Sequence, residues 1–379
     1  MNRTERLQKC HTAILAALDA CANKEKLPYG KDGVLFSLSA GQYHHALWPE
    51  DHLCAMEGKP DILSRRDYAS ILGHLTESVV DLRFLPDAVE DDGTPATSLA
   101  GNQGLCGYRM PPPLPSAYIR LLAFFERQGL EIPEKDRWGA IIARCVDAIE
   151  FSCGLVFINR NWPYVTFPLK DIVANTGLEL MSSVILYRGL LVGAELFADT
   201  LDQDVLYEWR RKARRIKENL WRLYDPEKKI FLAGSRDCRQ GDIFGSGLAY
   251  GLATKEQRQG VVEHFLAHQD ILFWNGMTRH MVEKDGWQRL LCGYPADHYM
   301  NGGYWPVGTG YLFTGLYEQE PDFALDLLEA LLASMPMHEY AESVNRDGTT
   351  NAKYFMTALG VLSLATKASL EGRQLIDII

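Results

Sequence analysis

Carboxylates interleaved with aromatic rings recur in four stretches of this 379-residue chain. The first reads His44-His45-Ala46-Leu47-Trp48-Pro49-Glu50-Asp51-His52, and the second runs from Leu85-Pro86-Asp87 to Asp91-Asp92-Gly93. The third begins Trp162-Pro163-Tyr164 and continues through Lys170-Asp171-Ile172 to Asn175-Thr176-Gly177. The fourth holds Arg279-His280, then Asp297-His298-Tyr299-Met300-Asn301-Gly302-Gly303-Tyr304-Trp305-Pro306, and ends on Glu339-Tyr340-Ala341-Glu342 and Asp347-Gly348. This mixture suits a sugar. A pyranose has apolar C–H faces that stack on Trp or Tyr, and a rim of hydroxyls that carboxylate, amide, guanidinium and imidazole groups can bind. Cleaving a glycosidic bond also needs two carboxyl groups in different environments, one kept protonated as acid and the other ionised as base or nucleophile.

The elements around these stretches are helical. Apolar residues recur at three- and four-residue spacing over 4–22, 63–84, 115–129, 134–152, 178–199, 204–224, 241–253, 254–268, 306–317, 321–334 and 351–370. The run 134–152 carries Trp138, Ile141, Ile142, Cys145, Val146 and Ile149 on one stripe. Strand signals are sparse, at 33–38 and 154–158, and neither precedes the glycine-rich turn of a nucleotide fold. Short connections such as Leu201-Asp202-Gln203 alternate with long ones over 28–62, 85–115, 153–177, 225–245, 269–305 and 336–351. Loops of that length are uncommon unless functional. Helical hairpins closed into a ring would gather the long loops on one face of a rigid scaffold, where chemistry belongs. No Pro/Ser/Gly-rich linker interrupts the series, so residues 1–379 read as one domain, an all-α (α/α)6 barrel.

Composition bounds the partners. The formal charge is −10 and the pI about 5.5, which argues against nucleic acid and against anionic lipid. No stretch approaches the roughly 18 apolar residues of a membrane span. Charges interrupt the first ten residues, leaving no apolar signal core, so a cytoplasmic protein is expected. The eight cysteines are scattered without a CxxC pair, as buried free thiols of a reducing compartment would be. His44-His45 followed by His52 lacks the single-face spacing of a metal pair, so no metal and no cofactor are expected.

The motif order resembles the six-hairpin glycosidase superfamily of glucoamylases, glycogen-debranching glucosidases, trehalases and neutral invertases. Trp48-Pro49-Glu50-Asp51 resembles that family's tryptophan-x-arginine-aspartate loop, with glutamate in the arginine's place. Tyr299-Met300-Asn301-Gly302-Gly303-Tyr304-Trp305-Pro306 resembles its Y-x-N-G-G-x-W-P segment. The resemblance implies an inverting, exo-acting glycoside hydrolase for a small saccharide or glycoside. It implies Asp171 as general acid with Glu179 as rival, and Glu339 as general base with Glu342 as rival. Trp48, Asp51, Trp162, Arg279, His280, Asp297, Asn301, Tyr304 and Trp305 are the expected sugar-binding residues. A sugar epimerase or phosphorylase on the same scaffold, or a non-catalytic sugar-binding protein, are the alternatives. A histidine pair from His280 with His44 or His52 would favour the epimerase.

Each of these residues has a plainer role to weigh. Asp51 is placed to cap the helix after Pro49, and Asp171 to sit on a helix dipole. Glu339 would serve as a surface carboxylate, Trp305 and Tyr304 as core aromatics, and Arg279 as half of a salt bridge. The basic run from Tyr207 to Arg215 reads as a solvated helix face.

Overall fold

The computed structural model describes residues 1–24, 26–29, 33–36, 46–90, 93–96, 111–161, 170 and 172–379. Among them are α1 (Arg3–Lys24), α2 (Pro49–Gly58), α3 (Arg65–Val79), α4 (Leu114–Arg127), α5 (Lys135–Asp147), α6 (Leu180–Leu196), α7 (Gln203–Asn219), α8 (Ile243–Ala249), α9 (Lys255–Ala267), α10 (Gln269–Leu272), α11 (Pro306–Gln319), α12 (Pro321–Ser334) and α13 (Met356–Leu370).

The outer helices are amphipathic. On α3, Tyr68, Ile71, Leu72, Leu75 and Val79 turn inward, and on α5 Trp138, Ile141, Ile142, Cys145 and Val146 do the same. Among the inner helices, every residue of α2 and of α8 is buried. Helices α2, α4, α6, α8, α11 and α13 pack each on the next, and α13 closes the ring against α2. An outer helix precedes each inner one in the chain, namely α1, α3, α5, α7, α9 and α12. This is the (α/α)6 toroid. The segments leading into inner helices are long (25–48, 80–113, 148–179, 220–242, 273–305, 335–355). Those leaving them, such as 59–64, 128–134 and 197–202, are short. All the long connections therefore meet at the N-terminal end of the inner ring.

The helix at Pro49–Gly58 falls inside a stretch expected to be loop, and it supplies the sixth inner helix. Elsewhere the ends move: 351–370 begins as a helix only at Met356, and 178–199 only at Leu180. The connections also hold more strand than expected. There are fifteen short strands among the described residues, none longer than four residues. One sheet of five is stitched from Phe273–Trp274, Met277–Arg279, Tyr304–Trp305, Ser343–Val344 and Thr350–Asn351, all antiparallel. Seven of the cysteines are free, Cys153 alone of them exposed, and Cys106 lies outside the described residues.

Close backbone approach sets the ring's radius at α2 and α13. A Cβ on Gly360 would stand 2.1 Å from the Cys54 carbonyl oxygen, and one on Gly58 would stand 2.6 Å from Gly360 Cα. Neither neighbour is a side chain that can swing away. Gly360→Ala is expected to destabilise the fold by about 1–3 kcal/mol, the usual cost of overpacking, read as a lower urea midpoint at unchanged slope.

The contact between α4 and α2 is polar. Arg120 of α4 donates to Glu57 at 2.7 Å and stands 3.6 Å from Glu50, both on α2, and Arg127 donates to the other Glu57 oxygen at 2.7 Å. Tyr311 of α11 lies within electrostatic reach of Cys54, Glu50, Asp51 and Arg120. Since α13 separates α11 from α2 in the ring, these groups meet across the lumen.

Candidate active site

The N-terminal end of the lumen is where α2 and α13 present their first turns. Trp48 precedes α2, with Pro49 in the tolerated first position. Asp51 follows one residue beyond Glu50 and accepts a hydrogen bond from the Thr357 hydroxyl of α13 at 2.7 Å. The expected side-chain cap at Asp51 is absent, because Asp51 is spent on tying the two inner helices together. Burial pushes its carboxyl up to about 7, against the pull of the Thr357 hydrogen bond and with a smaller push from Glu50. Burial also raises Glu50, which Arg120 partly offsets. Asp87, in the connection before α4, is likewise pushed up to about 7 by burial alone.

Asp51's raised value means that the folded protein holds its proton more tightly than the unfolded chain does. The associated stability is present below the usual carboxylate range and is lost as pH climbs towards 7. Asp51→Asn keeps an acceptor for Thr357 and removes this titration. Its melting temperature is therefore expected to gain on the wild type as pH rises from 4 to 8, and a constant gap would refute the assignment.

A second cluster lies between the starts of α6 and α8. Asp242 caps α8 by accepting the Gly245 N–H at 3.0 Å and forms an ion pair with Lys170, both side chains fully buried. Lys170 also stands 5.6 Å from the centre of the Trp287 ring. Glu179 caps α6, accepting from Met181 N at 3.2 Å, Ser182 N at 2.6 Å and Asn175 Nδ2 at 3.3 Å. Its carboxyl is raised by burial and pulled back by Lys170. His280 packs its ring 3.8 Å from Phe244, 5.4 Å from Trp305 and 6.3 Å from Trp287. Neither ring nitrogen has a hydrogen-bond partner among the described residues. Burial, with Lys170 beside it, holds His280 well below its usual range.

The five-stranded sheet carries most of the remaining expected residues. Arg279 pairs with Asp297 at 3.0 Å and donates to the Glu283 carbonyl at 3.1 Å. Gly302, at φ 114°, lets that guanidinium pass, because a Cβ there would lie 2.5 Å from Arg279 Nη2. Asn301 receives Trp287 N at 2.8 Å and donates to Tyr294 O at 2.9 Å. Tyr304 and Trp305 are buried, and their polar tips donate to the Ile271 and Tyr299 carbonyls. Trp305 stands behind His280, whereas Tyr304 packs on Trp274 with ring centres 5.5 Å apart. Asp297 and Tyr299 both take left-handed backbone, at φ 65° and 45°. Such strained residues cluster where surrounding structure fixes a site.

The two carboxylates of the last connection part company. Glu339 is 46% exposed and forms an ion pair with Lys353. Glu342 is 5% exposed, and its main-chain N–H reaches the Ala352 carbonyl at 2.8 Å, so it is fixed beside the strand Ser343–Val344. Asp171 and Trp162 lie outside the described residues, as do His44 and His45. His52 directs Nδ1 to the Trp48 carbonyl at 3.1 Å. The described residues contain no group of three or more His, Cys, Asp or Glu arranged to hold a metal, and no helix long and apolar enough to cross a membrane.

Lys170, Asp242, Arg120 and Trp287 escaped the sequence analysis. Arg120 had a signal, as a cation set inside the apolar run from Ala117 to Phe125, and Asp242 had the spacing of an N-cap. Lys170 had none beyond its neighbour Asp171.

Comparison with known proteins rests on structure. No family model matches the chain, and no curated protein matches it by sequence. A GH63 mannosylglycerate hydrolase from Thermus thermophilus, solved with Tris and D-glycerate, superimposes with a TM-score of 0.61 at 11% identity, covering 92% of this chain and 99% of that one. A bacterial glucoamylase complexed with acarbose gives 0.60 at 15% identity over 89% of this chain and 51% of that one. The fold is that of the six-hairpin glycosidases. A rhamnosidase from Klebsiella oxytoca with rhamnose bound gives 0.57 at 13% identity, covering 97% and 64%. The six-hairpin toroid is thus shared almost end to end with the mannosylglycerate hydrolase, at an identity that speaks for the fold alone.

Proposed function

We propose that this six-hairpin protein is a glycoside hydrolase that inverts the anomeric centre of a terminal sugar on a small saccharide or glycoside. Asp171 acts as general acid and Glu342 as general base. The observation that carries the choice of base is the contrast between buried Glu342 and exposed, ion-paired Glu339. The acid remains Asp171 because Glu179 has both oxygens engaged by the start of its own helix. End-on entry agrees with the Arg120–Glu57–Arg127 cluster, which ties α4 to α2 two turns beyond Asp51.

The acid protonates the glycosidic oxygen as the C–O bond breaks, and the base takes a proton from the water that attacks the anomeric carbon from the opposite face. An inverting pair stands about 6.5–9.5 Å apart to admit that water. Asp51, Arg279 and Asn301 supply the polar rim, and Trp48 and Trp162 the apolar faces. The ligands named for the structural relatives, D-glycerate and glucose in the mannosylglycerate hydrolase, are small and polar and fit this reading.

The test is hydrolysis of a panel of aryl α- and β-glycosides of neutral, amino and acetamido sugars, with proton NMR identifying the anomer first released. Turnover with inversion, lost in Asp171→Asn, is expected. Retention of configuration would refute the mechanism, and silence across the panel would refute the activity.

A further inference from the structure

Glu50 has no role in the hydrolytic scheme, yet it is buried. It stands in the first turn of α2, next to Asp51, with its side chain 11% exposed. Its Oε2 atom is buried with no hydrogen-bond partner among the described residues. The cation beside it, Arg120, stands 3.6 Å away, beyond hydrogen-bond reach, because its own hydrogen bond goes to Glu57 at 2.7 Å. Among the described residues, the Asp51 carboxyl receives the Thr357 hydroxyl and no other side chain. Two carboxyl groups at consecutive positions thus stand in the first turn of α2, and the guanidinium beside them pairs with Glu50 without a hydrogen bond. A buried carboxyl without a donor is costly, so the site is built to be completed by something that brings both N–H donors and positive charge.

We propose that the lumen floor recognises a protonated amine on the sugar, so that the substrates are glycosides of amino sugars with a free amino group, and that Glu50 determines this specificity. The inference rests on the hydrolase reading and narrows its substrate class. An ammonium group offers three donors and one charge to the Glu50–Asp51 pair, whereas a hydroxyl offers one donor and no charge. An acetamido group, neutral and bulkier, fails on both counts.

Binding separates this idea from catalysis. The full chain at pH 7 is titrated calorimetrically with glucosamine, galactosamine and mannosamine, with the corresponding neutral hexoses, and with N-acetylglucosamine. One of the amines is expected to bind about tenfold or more tightly than its neutral counterpart and its acetylated form, the scale of a charge-assisted hydrogen bond. Glu50→Gln is expected to bring the amine and the neutral sugar to within about threefold. Equal affinities in the wild type, or a preference untouched by Glu50→Gln, overturn the proposal. An amine preference in a protein that hydrolyses no glycoside would sustain the proposed recognition and sink the hydrolase reading. If Glu50→Gln does not fold, the wild-type comparison alone decides, since equal affinities there are already fatal.

Discussion

Glu342→Gln lowers kcat on any accepted glycoside by about 10²–10⁴-fold, the range that a positioned general base contributes, while Glu339→Gln stays within a few-fold of wild type. The two positions differ by one turn of chain and by their surroundings. Glu339 spends its charge on Lys353 in solvent, where a substitution changes only a surface ion pair of small worth. Glu342 is held out of water next to the strand Ser343–Val344, where its amide isostere preserves shape and hydrogen bonding but cannot take a proton from water. The loss therefore falls on kcat with KM little changed. Glu342→Ala makes room for a small anion, and added azide is expected to restore turnover as the glycosyl azide of inverted configuration. A wild-type rate in Glu342→Gln together with a dead Glu339→Gln would reverse the assignment.

The second large effect is on stability. Arg120→Met deletes the guanidinium between Glu50 and Glu57 and leaves two buried carboxyls, of which only Glu57 keeps a cation, half-exposed Arg127. Breaking a buried pair from one side costs about 3–5 kcal/mol. The cost is expected at neutral pH, measured by urea unfolding, and it shrinks on acidification as the stranded carboxyls take up protons. Glu57→Gln in the same chain should recover part of the loss, because it removes the charge that Arg120 no longer meets. A single Arg120→Met variant as stable as wild type would mean that the lumen holds these groups neutral.

The ring was readable from sequence because its outer helices are wet on one side. Tyr68-Ile71-Leu72-Leu75 and Trp138-Ile141-Ile142-Cys145 announce a stripe, and five of the inner helices announce themselves by long apolar runs. The helix Pro49–Gly58 did not, since Glu50, Asp51, His52 and Glu57 are scattered among Leu53, Cys54, Ala55 and Met56 with no period. Its polar residues are buried along with its apolar ones, so the usual contrast between faces is missing. Two-residue strands carry no alternation to detect. In the site, the motifs pointed to stretches but could not choose within them: Glu339 and Glu342 are three residues apart, and burial is what separates them. The pairing of Lys170 with Asp242 joins positions 72 residues apart, which no local pattern records.

The small five-stranded sheet has a further bearing. Arg279 pairs with Tyr304 across it, Tyr304 with Val344, and Ser343 with Asn351, so the segments before α11 and before α13 share one ladder of hydrogen bonds. Two connections far apart in sequence are therefore one cooperative unit. Their amides should exchange with deuterium at a common rate and open together. A loop transplanted into either connection from a relative of different specificity would have to bring its partner strand with it.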